Sequence, residues 1–155
     1  RLTFTADRKY PGIQGPRHWL RSSSDGARIA FLMRDDVGVV QLWTVSPSTG
    51  QLTQLTRNPQ DIASAFTWSP NGKWIAHVMD GSVCVTNTST GETSRLTKAF
   101  ADAEAPRPEA CVFSPDGSQV AYVRPVAIGG TTVDHAAASD QPTHNQIFIC
   151  TLNAR

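Results

Sequence analysis

Short runs in which apolar and polar residues alternate cover most of the chain, and turn-forming residues separate them. Three of these runs follow a Ser-x-Asx-Gly tetrapeptide and span Arg28–Met33, Lys73–Met79 and Gln119–Arg124. Alternation with a period of two predicts strands with one buried face, and a tetrapeptide ending in Asx-Gly favours a tight turn with a left-handed glycine. The sequence shows no amphipathic helix of three turns, so the pattern predicts an all-β fold.

These runs belong to an internal repeat. The glycines of the three tetrapeptides lie 46 and then 45 residues apart, at Gly26, Gly72 and Gly117. A second marker, a basic or amide residue followed by Leu-Thr, recurs in the same order at Arg1–Thr3, Gln54–Thr56 and Arg95–Thr97. Each unit predicts four strands, labelled a to d, with the tetrapeptide joining a to b and the Leu-Thr marker ending d. Four-stranded units of about 40–45 residues are typical of β-propeller blades.

The repeat predicts a single all-β domain over residues 1–155 that forms three blades of a β-propeller. We expect an outer strand at 1–5, blades at 17–56, 62–97 and 109–152, and an insertion at 125–145 within the third blade. The segment 1–5 is an outer strand without a blade, while the third blade lacks a strand d. Propellers have at least about four blades, so two explanations stay open: blades missing on the N-terminal side, or a second copy that completes the ring.

The repeat also resembles a known group of propellers. Ser-Pro-Asp-Gly, then apolar-Ala-aromatic, then a third strand and Arg-Leu-Thr is similar to the WD40-like repeat of TolB-type proteins. The stretch that runs from Tyr10–Trp19 through Arg107–Gly117 resembles the C-terminal part of an uncharacterised bacterial TolB-related family, and this resemblance covers nearly the whole chain. The resemblance implies a propeller fold, and propellers include both binding proteins and enzymes. Blade one departs from the repeat, since Ser24 stands where the pattern has proline.

Charge and cysteine content limit the function and the compartment. The formal net charge is +1, so no basic excess suggests a nucleic-acid partner, and no apolar run reaches the ~18 residues of a membrane span. Three cysteines without C-x-x-C spacing, Cys84, Cys111 and Cys150, are typical of buried free thiols, with a Cys111–Cys150 bridge as the alternative. Free thiols favour the cytoplasm, whereas the TolB resemblance suggests the periplasm; the sequence leaves the compartment open.

Candidate ligand-binding residues follow from the position at which strand a begins. Eight residues before each repeat glycine stand His18, Ser64 and Glu109, and arginines lie beside two of them, at Arg17 and Arg107. Ligands of propellers gather at the mouth of the central channel, where strand a starts, so these five residues are the predicted binding site. The alternative is that they only line a water-filled channel.

The predicted insertion contains a possible metal site. It holds His135 and His144 together with two aspartates, and such side chains bind divalent ions such as manganese or zinc. Oligogalacturonate lyases, which are TolB-like propellers with His and Gln ligands, add Gln141 to this set by resemblance. The alternative is a solvated loop, and no other cofactor is expected. No catalytic residues can be assigned from the sequence, because no nucleophile elbow or phosphate-binding glycine loop is present.

Two functions remain. The first is a non-catalytic propeller scaffold that binds a protein or peptide partner at the channel mouth. The second is a metal-assisted lyase or hydrolase acting on an acidic oligosaccharide, in which arginines would pair with uronate carboxylates.

Overall fold

The computed structural model describes residues 1–14, 19–109, 111–127 and 143–152. These residues form an all-β fold of three antiparallel sheets, which confirms the predicted fold class. Sheet 1 consists of β1 (Arg21–Ser22), β2 (Ile29–Arg34), β3 (Val40–Val45) and β4 (Leu52–Gln54). Sheet 2 consists of β5 (Thr67–Trp68), β6 (Trp74–Met79), β7 (Ser82–Asn87) and β8 (Thr93–Arg95). Sheet 3 consists of β9 (Val112–Phe113), β10 (Gln119–Ala127) and β11 (Thr143–Thr151).

The strands follow one another in space as they do along the chain, except that sheet 3 has no fourth strand among the described residues. One turn of 3₁₀ helix, Asp102–Glu104, lies in the linker between sheets 2 and 3. Within the ranges described, no helix is long and apolar enough to cross a membrane.

The Ser-x-Asx-Gly turns adopt the predicted conformation. Gly26, Gly72 and Gly117 have φ of 70°, 69° and 75°. In the third turn the Ser114 hydroxyl donates to Asp116 Oδ1 at 2.5 Å and accepts the Gln119 N–H at 3.0 Å. Hydrogen bonds from Ser114 and from Ser118 lower the pKa of Asp116 to about 2. The serine therefore closes the turn on both sides, which explains why it recurs in every unit.

Adjacent sheets pack face to face through apolar side chains from their central strands. Sheet 1 contributes Ala30, Leu32 and Leu42, which are at most 1% exposed and form one buried cluster with Ile75 of sheet 2 and with Phe66, the residue before β5. The opposite face of sheet 2 packs against sheet 3 in the same way. The residues of this second core are Ala76, Val78, Val83, Val85, Cys111, Phe113, Val120 and Tyr122. Sheet 2 is therefore covered on both faces.

The turns of neighbouring sheets also touch one another. A Cβ at Gly72 would lie 3.6 Å from Ser24 Oγ, and a Cβ at Gly117 would lie 3.7 Å from Pro70 Cδ. Ser24 and Pro70 hold the same position in their tetrapeptides. One contact between turns is thus repeated at both sheet junctions.

The N-terminal segment does not form the predicted outer strand within its own chain. No strand is assigned to Arg1–Thr5, and the side chains of Leu2 and Phe4 are 39% and 74% exposed. A strand needs the free edge of a sheet beside it, and this segment has none. Further along, Ile13 packs on the outer face of sheet 1, and the Arg8 guanidinium lies 4.5 Å from the Trp43 ring centre.

The hairpin of sheet 3 is longer than predicted. Pro125 pairs with Asn145 and Ala127 pairs with Thr143, so both ends of the predicted insertion 125–145 are strand. The ladder between β10 and β11 continues past Arg124 for three more residue pairs. Residues 128–142 lie outside the described residues.

Candidate functional site

The loops between second and third strands and the linkers between sheets meet at one end of the sheets. We call this end, formed by 35–38, 80–81, 57–63 and 98–108, the mouth face. Backbone hydrogen bonds connect its parts, since the Ile62 N–H donates to the Val40 carbonyl and the Phe100 N–H donates to the Gly81 carbonyl, both at 3.0 Å. From the repeat, this is the end of the sheets at which a channel mouth is expected.

Arg107 is held at the mouth face by its backbone and by its side chain. Its N–H donates to the Val123 carbonyl at 2.8 Å, and its Nε donates to Asn145 Oδ1 at 3.0 Å. The side chain is exposed, as is that of Glu109 two residues later. Two of the five predicted ligand-binding residues therefore lie near each other, exposed and next to the first strand of sheet 3.

Ser64 is not exposed in the structure. It is 0% exposed, and its hydroxyl donates to the Ala65 carbonyl at 2.6 Å and accepts the Val78 N–H at 2.7 Å. Both bonds lie inside the sheet, so Ser64 supports the start of β5 and offers nothing to a ligand. Arg17 and His18 lie outside the described residues.

The chain that leads into each first strand contacts the second strand of its own sheet. The N–H groups of Gln14, Ala63 and Arg107 donate to the carbonyls of Leu32, Val78 and Val123, which are equivalent positions in the three sheets. These donors lie 12, 9 and 10 residues before the turn glycines. The linkers differ in length, so this contact does not fall at one fixed distance before the turn.

Of the three residues predicted to bind a metal, only His144 lies within the described ranges; His135 and Gln141 do not. His144 is exposed and pairs with Val126 at the start of β11. Across the described ranges no group of three or more His, Cys, Asp or Glu side chains converges. Adjacent residues of a strand point to opposite faces, so His144 lies on the other face of the hairpin from Asn145 and its partner Arg107.

Arg124 of β10, which contacts Phe100 of the mouth face, is a residue that the sequence analysis did not identify. Its guanidinium lies between two aromatic rings, 4.6 Å from the centre of Phe100 and 4.3 Å from that of Phe148. Its Nε is buried and has no hydrogen-bond partner among the described residues. Stacking on the rings holds the cation in place. A lone arginine inside an otherwise apolar strand pattern is the only signal that could have indicated it.

Two ion pairs connect loops and strands at the mouth face. Arg95 forms an ion pair with Asp80 and also bonds to Ser82, while Arg34 Nη1 lies 4.0 Å from Asp61 Oδ2. Other exposed charges of this face are in no ion pair of the described residues, namely Arg57, Lys98, Asp102 and Glu104. Arg107 and Glu109 are in neither pair and take part in no ion pair of the described residues.

The cysteines are free thiols in the structure, so the alternative of a Cys111–Cys150 bridge is not realised. Burial raises the pKa of Cys84 to about 11 and that of Cys111 to about 12. Both thiols therefore stay protonated at neutral pH and act as small apolar side chains of the core.

Comparisons with known proteins agree with this architecture. Residues 40–125 match the family described as the dipeptidyl peptidase IV (DPP IV) N-terminal region. The uncharacterized protein YidR of Escherichia coli (strain K12) is 48% identical over 124 residues, which are 79% of this chain and 29% of that relative. The chain therefore spans less than a third of the length of this curated relative.

Solved structures with low sequence identity share the fold. The putative TolB from Agrobacterium tumefaciens superposes with a TM-score of 0.58 at 18% identity, covering 89% of this chain and 50% of that one. The oligogalacturonate lyase of Vibrio parahaemolyticus gives a TM-score of 0.60 at 15% identity, covering 81% of this chain and 32% of that one. With its repeated sheets and its match over more than half of its length, the chain belongs to the family of the dipeptidyl peptidase IV N-terminal region and is of the β-propeller type.

Proposed function

We propose that this chain is part of a non-catalytic propeller scaffold that binds a protein or peptide partner at its mouth face. The observation that carries the proposal is the state of Arg107 and Glu109. Both are exposed, and neither is neutralised by an ion pair within the described residues, whereas Arg34 and Arg95 nearby are.

The position of these two charges suits recognition. The Arg107 backbone is fixed to the Val123 carbonyl, and its guanidinium already has a neutral amide partner in Asn145. A cation held in this way keeps donors available for a carboxylate, and a charge-assisted bond of this kind is stronger than a neutral one. Glu109 presents an acceptor close by, so a partner with neighbouring opposite charges would complement the pair.

Site-specific crosslinking tests this proposal. A photoreactive residue at position 109 is compared with one at Lys73, an exposed position next to the Ser-Pro-Asn-Gly turn of sheet 2. The crosslinked partner is identified and purified, and its affinity is measured for the wild type, Arg107→Ala, Glu109→Ala and the control Lys73→Ala. We expect at least about tenfold weaker binding for the first two variants and an unchanged Kd for the control. Equal crosslinking at both positions, or unchanged affinity of Arg107→Ala, contradicts the proposal.

A metal-assisted lyase or hydrolase of acidic oligosaccharides is the second candidate. One solved structure of similar fold is an oligogalacturonate lyase in complex with manganese, with a TM-score of 0.56. The exposed Arg107 is suited to a uronate carboxylate, and His144 lies in β11 next to Asn145, the hydrogen-bond partner of Arg107. Against this, the two side chains lie on opposite faces of the hairpin, and His144 is a single ligand among the described residues.

A direct assay separates the two candidates. The purified chain is incubated with manganese or zinc and with oligogalacturonate, and the absorbance of unsaturated products is followed. The scaffold proposal predicts no more product than in a control that contains the metal and oligogalacturonate without the protein. Product formation that is lost in His144→Ala and in Arg107→Ala would favour the enzyme.

A further inference from the structure

One of the three Ser-x-Asx-Gly turns differs from the others in a single functional group. The third position of the tetrapeptide is an aspartate in sheets 1 and 3, Asp25 and Asp116, and an asparagine in sheet 2, Asn71. All three side chains are exposed. A side-chain amide that precedes a glycine can react with the main chain, because a residue without Cβ lets other groups approach its nitrogen closely.

The reaction open to Asn71 is the loss of its amide group. The Gly72 nitrogen gives up its proton and bonds to Cγ of Asn71, the bond from Cγ to Nδ2 breaks, and ammonia leaves. Water then opens the cyclic imide that has formed. Opening at Cγ gives an aspartate, and opening at the main-chain carbonyl gives an isoaspartate, in which Cβ has become part of the main chain. Water is the only co-reactant, and nothing is oxidised or reduced.

The closed turn holds both reacting groups in place. The Gly72 N–H donates to the Ser69 carbonyl at 2.9 Å. Asn71 Oδ1 accepts the Ser69 hydroxyl at 2.8 Å and the Lys73 N–H at 3.0 Å. The Ser69 hydroxyl in turn accepts the Trp74 N–H at 2.9 Å, and Ser69 is only 1% exposed. The nitrogen therefore keeps its proton in a hydrogen bond and the amide cannot turn, so the reaction requires the turn to open first.

We propose that Asn71 is a site of spontaneous deamidation and that Ser69 controls its rate. While the Ser69 hydroxyl holds Oδ1, the amide is preserved. When this bond breaks, the Gly72 nitrogen is free to reach Cγ. The reacting groups are thus Asn71, Gly72 and water, and Ser69 acts on them as a positioning residue.

The turn is suited to the aspartate product. Asp25 Oδ1 accepts the Ser23 hydroxyl at 2.6 Å and the Ala27 N–H at 3.0 Å, and Asp116 Oδ1 accepts the equivalent pair of bonds. These hydrogen bonds lower the pKa of both aspartates. An aspartate formed from Asn71 has the same two donors beside it, and a charged acceptor binds them more strongly than an amide oxygen does.

The isoaspartate product would disturb the junction between sheets 1 and 2. A main chain lengthened by Cβ displaces Gly72, which has a φ of 69° and is bound to the Ser69 carbonyl. Gly72 also lies against the neighbouring turn, since a Cβ there would be 3.6 Å from Ser24 Oγ. The two products of one reaction therefore have opposite consequences for the packing of the sheets.

Peptide mass spectrometry tests the proposal. The purified protein is incubated at mildly alkaline pH, folded and in urea, and the conversion of Asn71 is followed as the small mass increase that accompanies exchange of ammonia for water. We expect the unfolded chain to react at least about tenfold faster than the folded protein. Ser69→Ala should raise the rate in the folded protein by about tenfold. Ser23→Ala removes the equally buried serine beside Asp25 and should leave the rate unchanged.

Asn87 is the internal control in the same digest. It precedes Thr88, whose branched Cβ crowds the main-chain nitrogen, so its amide should persist. Circular dichroism shows whether each variant is folded, and the comparison of folded with unfolded wild type requires no variant. Equal rates for the folded and unfolded wild type overturn the proposal, as does a Ser69→Ala rate equal to that of the wild type. Equal acceleration by Ser23→Ala would assign the effect to a general loss of stability and would exclude the role of Ser69.

Discussion

Gly50 and Gly91 hold the same position in the turns between the third and fourth strands of sheets 1 and 2. Their φ values are 71° and 77°, and both N–H groups donate to the residue four positions earlier. Their surroundings differ. A Cβ at Gly50 would come no closer than 4.0 Å to the Leu2 carbonyl oxygen, whereas a Cβ at Gly91 would overlap the Leu55 carbonyl oxygen. The pair therefore separates the cost of backbone conformation from the cost of a contact between sheets.

We expect Gly50→Ala to lower the free energy of unfolding by about 1–2 kcal/mol, the cost of a left-handed alanine. Gly91→Ala carries the same cost and also forces apart sheets 1 and 2, so it should lose about 2 kcal/mol more. Urea denaturation of both variants measures the difference. Equal losses would show that the Leu55 carbonyl moves away at little cost.

His77 is a buried histidine of the sheet core. Its Nε2 lies 2.9 Å from Thr86 Oγ1, and burial lowers its pKa from 6.5 to about 4. The unfolded chain therefore binds a proton at higher pH than the folded chain does. Stability from this group is complete above pH 6.5 and is lost as the pH falls from 6.5 to about 4, by about 3 kcal/mol in all.

The His77→Phe variant tests this pH dependence, because sheet 1 has a buried phenylalanine, Phe31, at the equivalent position. The melting temperature of the wild type should fall between pH 7 and pH 4. That of the variant should fall less over the same interval. Parallel curves for the two proteins would mean that His77 does not titrate as its burial requires.

At the scale of elements, a threonine after each fourth strand binds the third strand: the Leu42 N–H donates to Thr56 Oγ1, and the Val83 N–H donates to Thr97 Oγ1, both at 3.0 Å. In sheet 1 a buried glutamine reinforces this contact. Gln41 is 0% exposed, and its Oε1 accepts the Thr56 hydroxyl at 2.7 Å and the Asn58 N–H at 3.0 Å. In sheet 2 the equivalent position is Ser82, which bonds to Arg95. The same strand junction is therefore part of a buried polar network in one sheet and of a partly exposed one in the other.

Valine at these two threonines should reveal the difference. Thr56→Val leaves the Leu42 N–H and one bond of Gln41 unsatisfied inside the protein, so we expect a loss of about 2–3 kcal/mol. Thr97→Val leaves only the Val83 N–H, with an expected loss of about 1 kcal/mol. Thermal unfolding of the two variants measures both values, and a larger loss for Thr97→Val would contradict this account.

The strands and their turns were predictable from the sequence because their signals are local. Alternation marks β2 and β6 to within one residue, and the tetrapeptides mark the left-handed glycines. The burial of Ser64 was not predictable in this way, because it depends on the hydrogen bond that its hydroxyl accepts from Val78, 14 positions along the chain. The burial of Gln41 was also hidden, because a polar residue in an alternating strand looks exposed.

The extended hairpin shows a second limit of local signals. Pro125 and the two glycines that follow it, Gly129 and Gly130, favour a loop in the sequence. In the structure, however, Pro125 lies in β10 opposite Asn145. Pairing over a long ladder outweighs one residue without an N–H group. For the binding site, the sequence identified Arg107 and Glu109 as charges near a strand start. It could not show that Arg107 bonds to Asn145, since that contact joins residues 38 positions apart.

At the scale of the whole molecule, the three sheets differ in how much of each is covered. Sheet 2 packs against a sheet on both faces, sheet 1 has Ile13 and Arg8 over its outer face, and sheet 3 leaves Ile147 and Ile149 exposed. Regions with more buried apolar contacts open less often. Stability should therefore be greatest in the middle sheet.

Hydrogen exchange at low protein concentration should follow this order. We expect the slowest amide exchange in β6 and β7, intermediate exchange in β2 and β3, and the fastest exchange in β10 and β11. Mass spectrometry of peptides after timed exchange gives the order. Slowest exchange in sheet 3 would show that its outer face is covered even in the dilute chain.

The contact between successive turns has a consequence for how such a chain changes in length over evolution. Gly72 meets Ser24, and Gly117 meets Pro70, so each unit touches the one before it through the same two positions. A duplicated unit inserted between two existing ones would bring with it both halves of that contact. Gene duplication can therefore lengthen the array one unit at a time without new surfaces having to arise first.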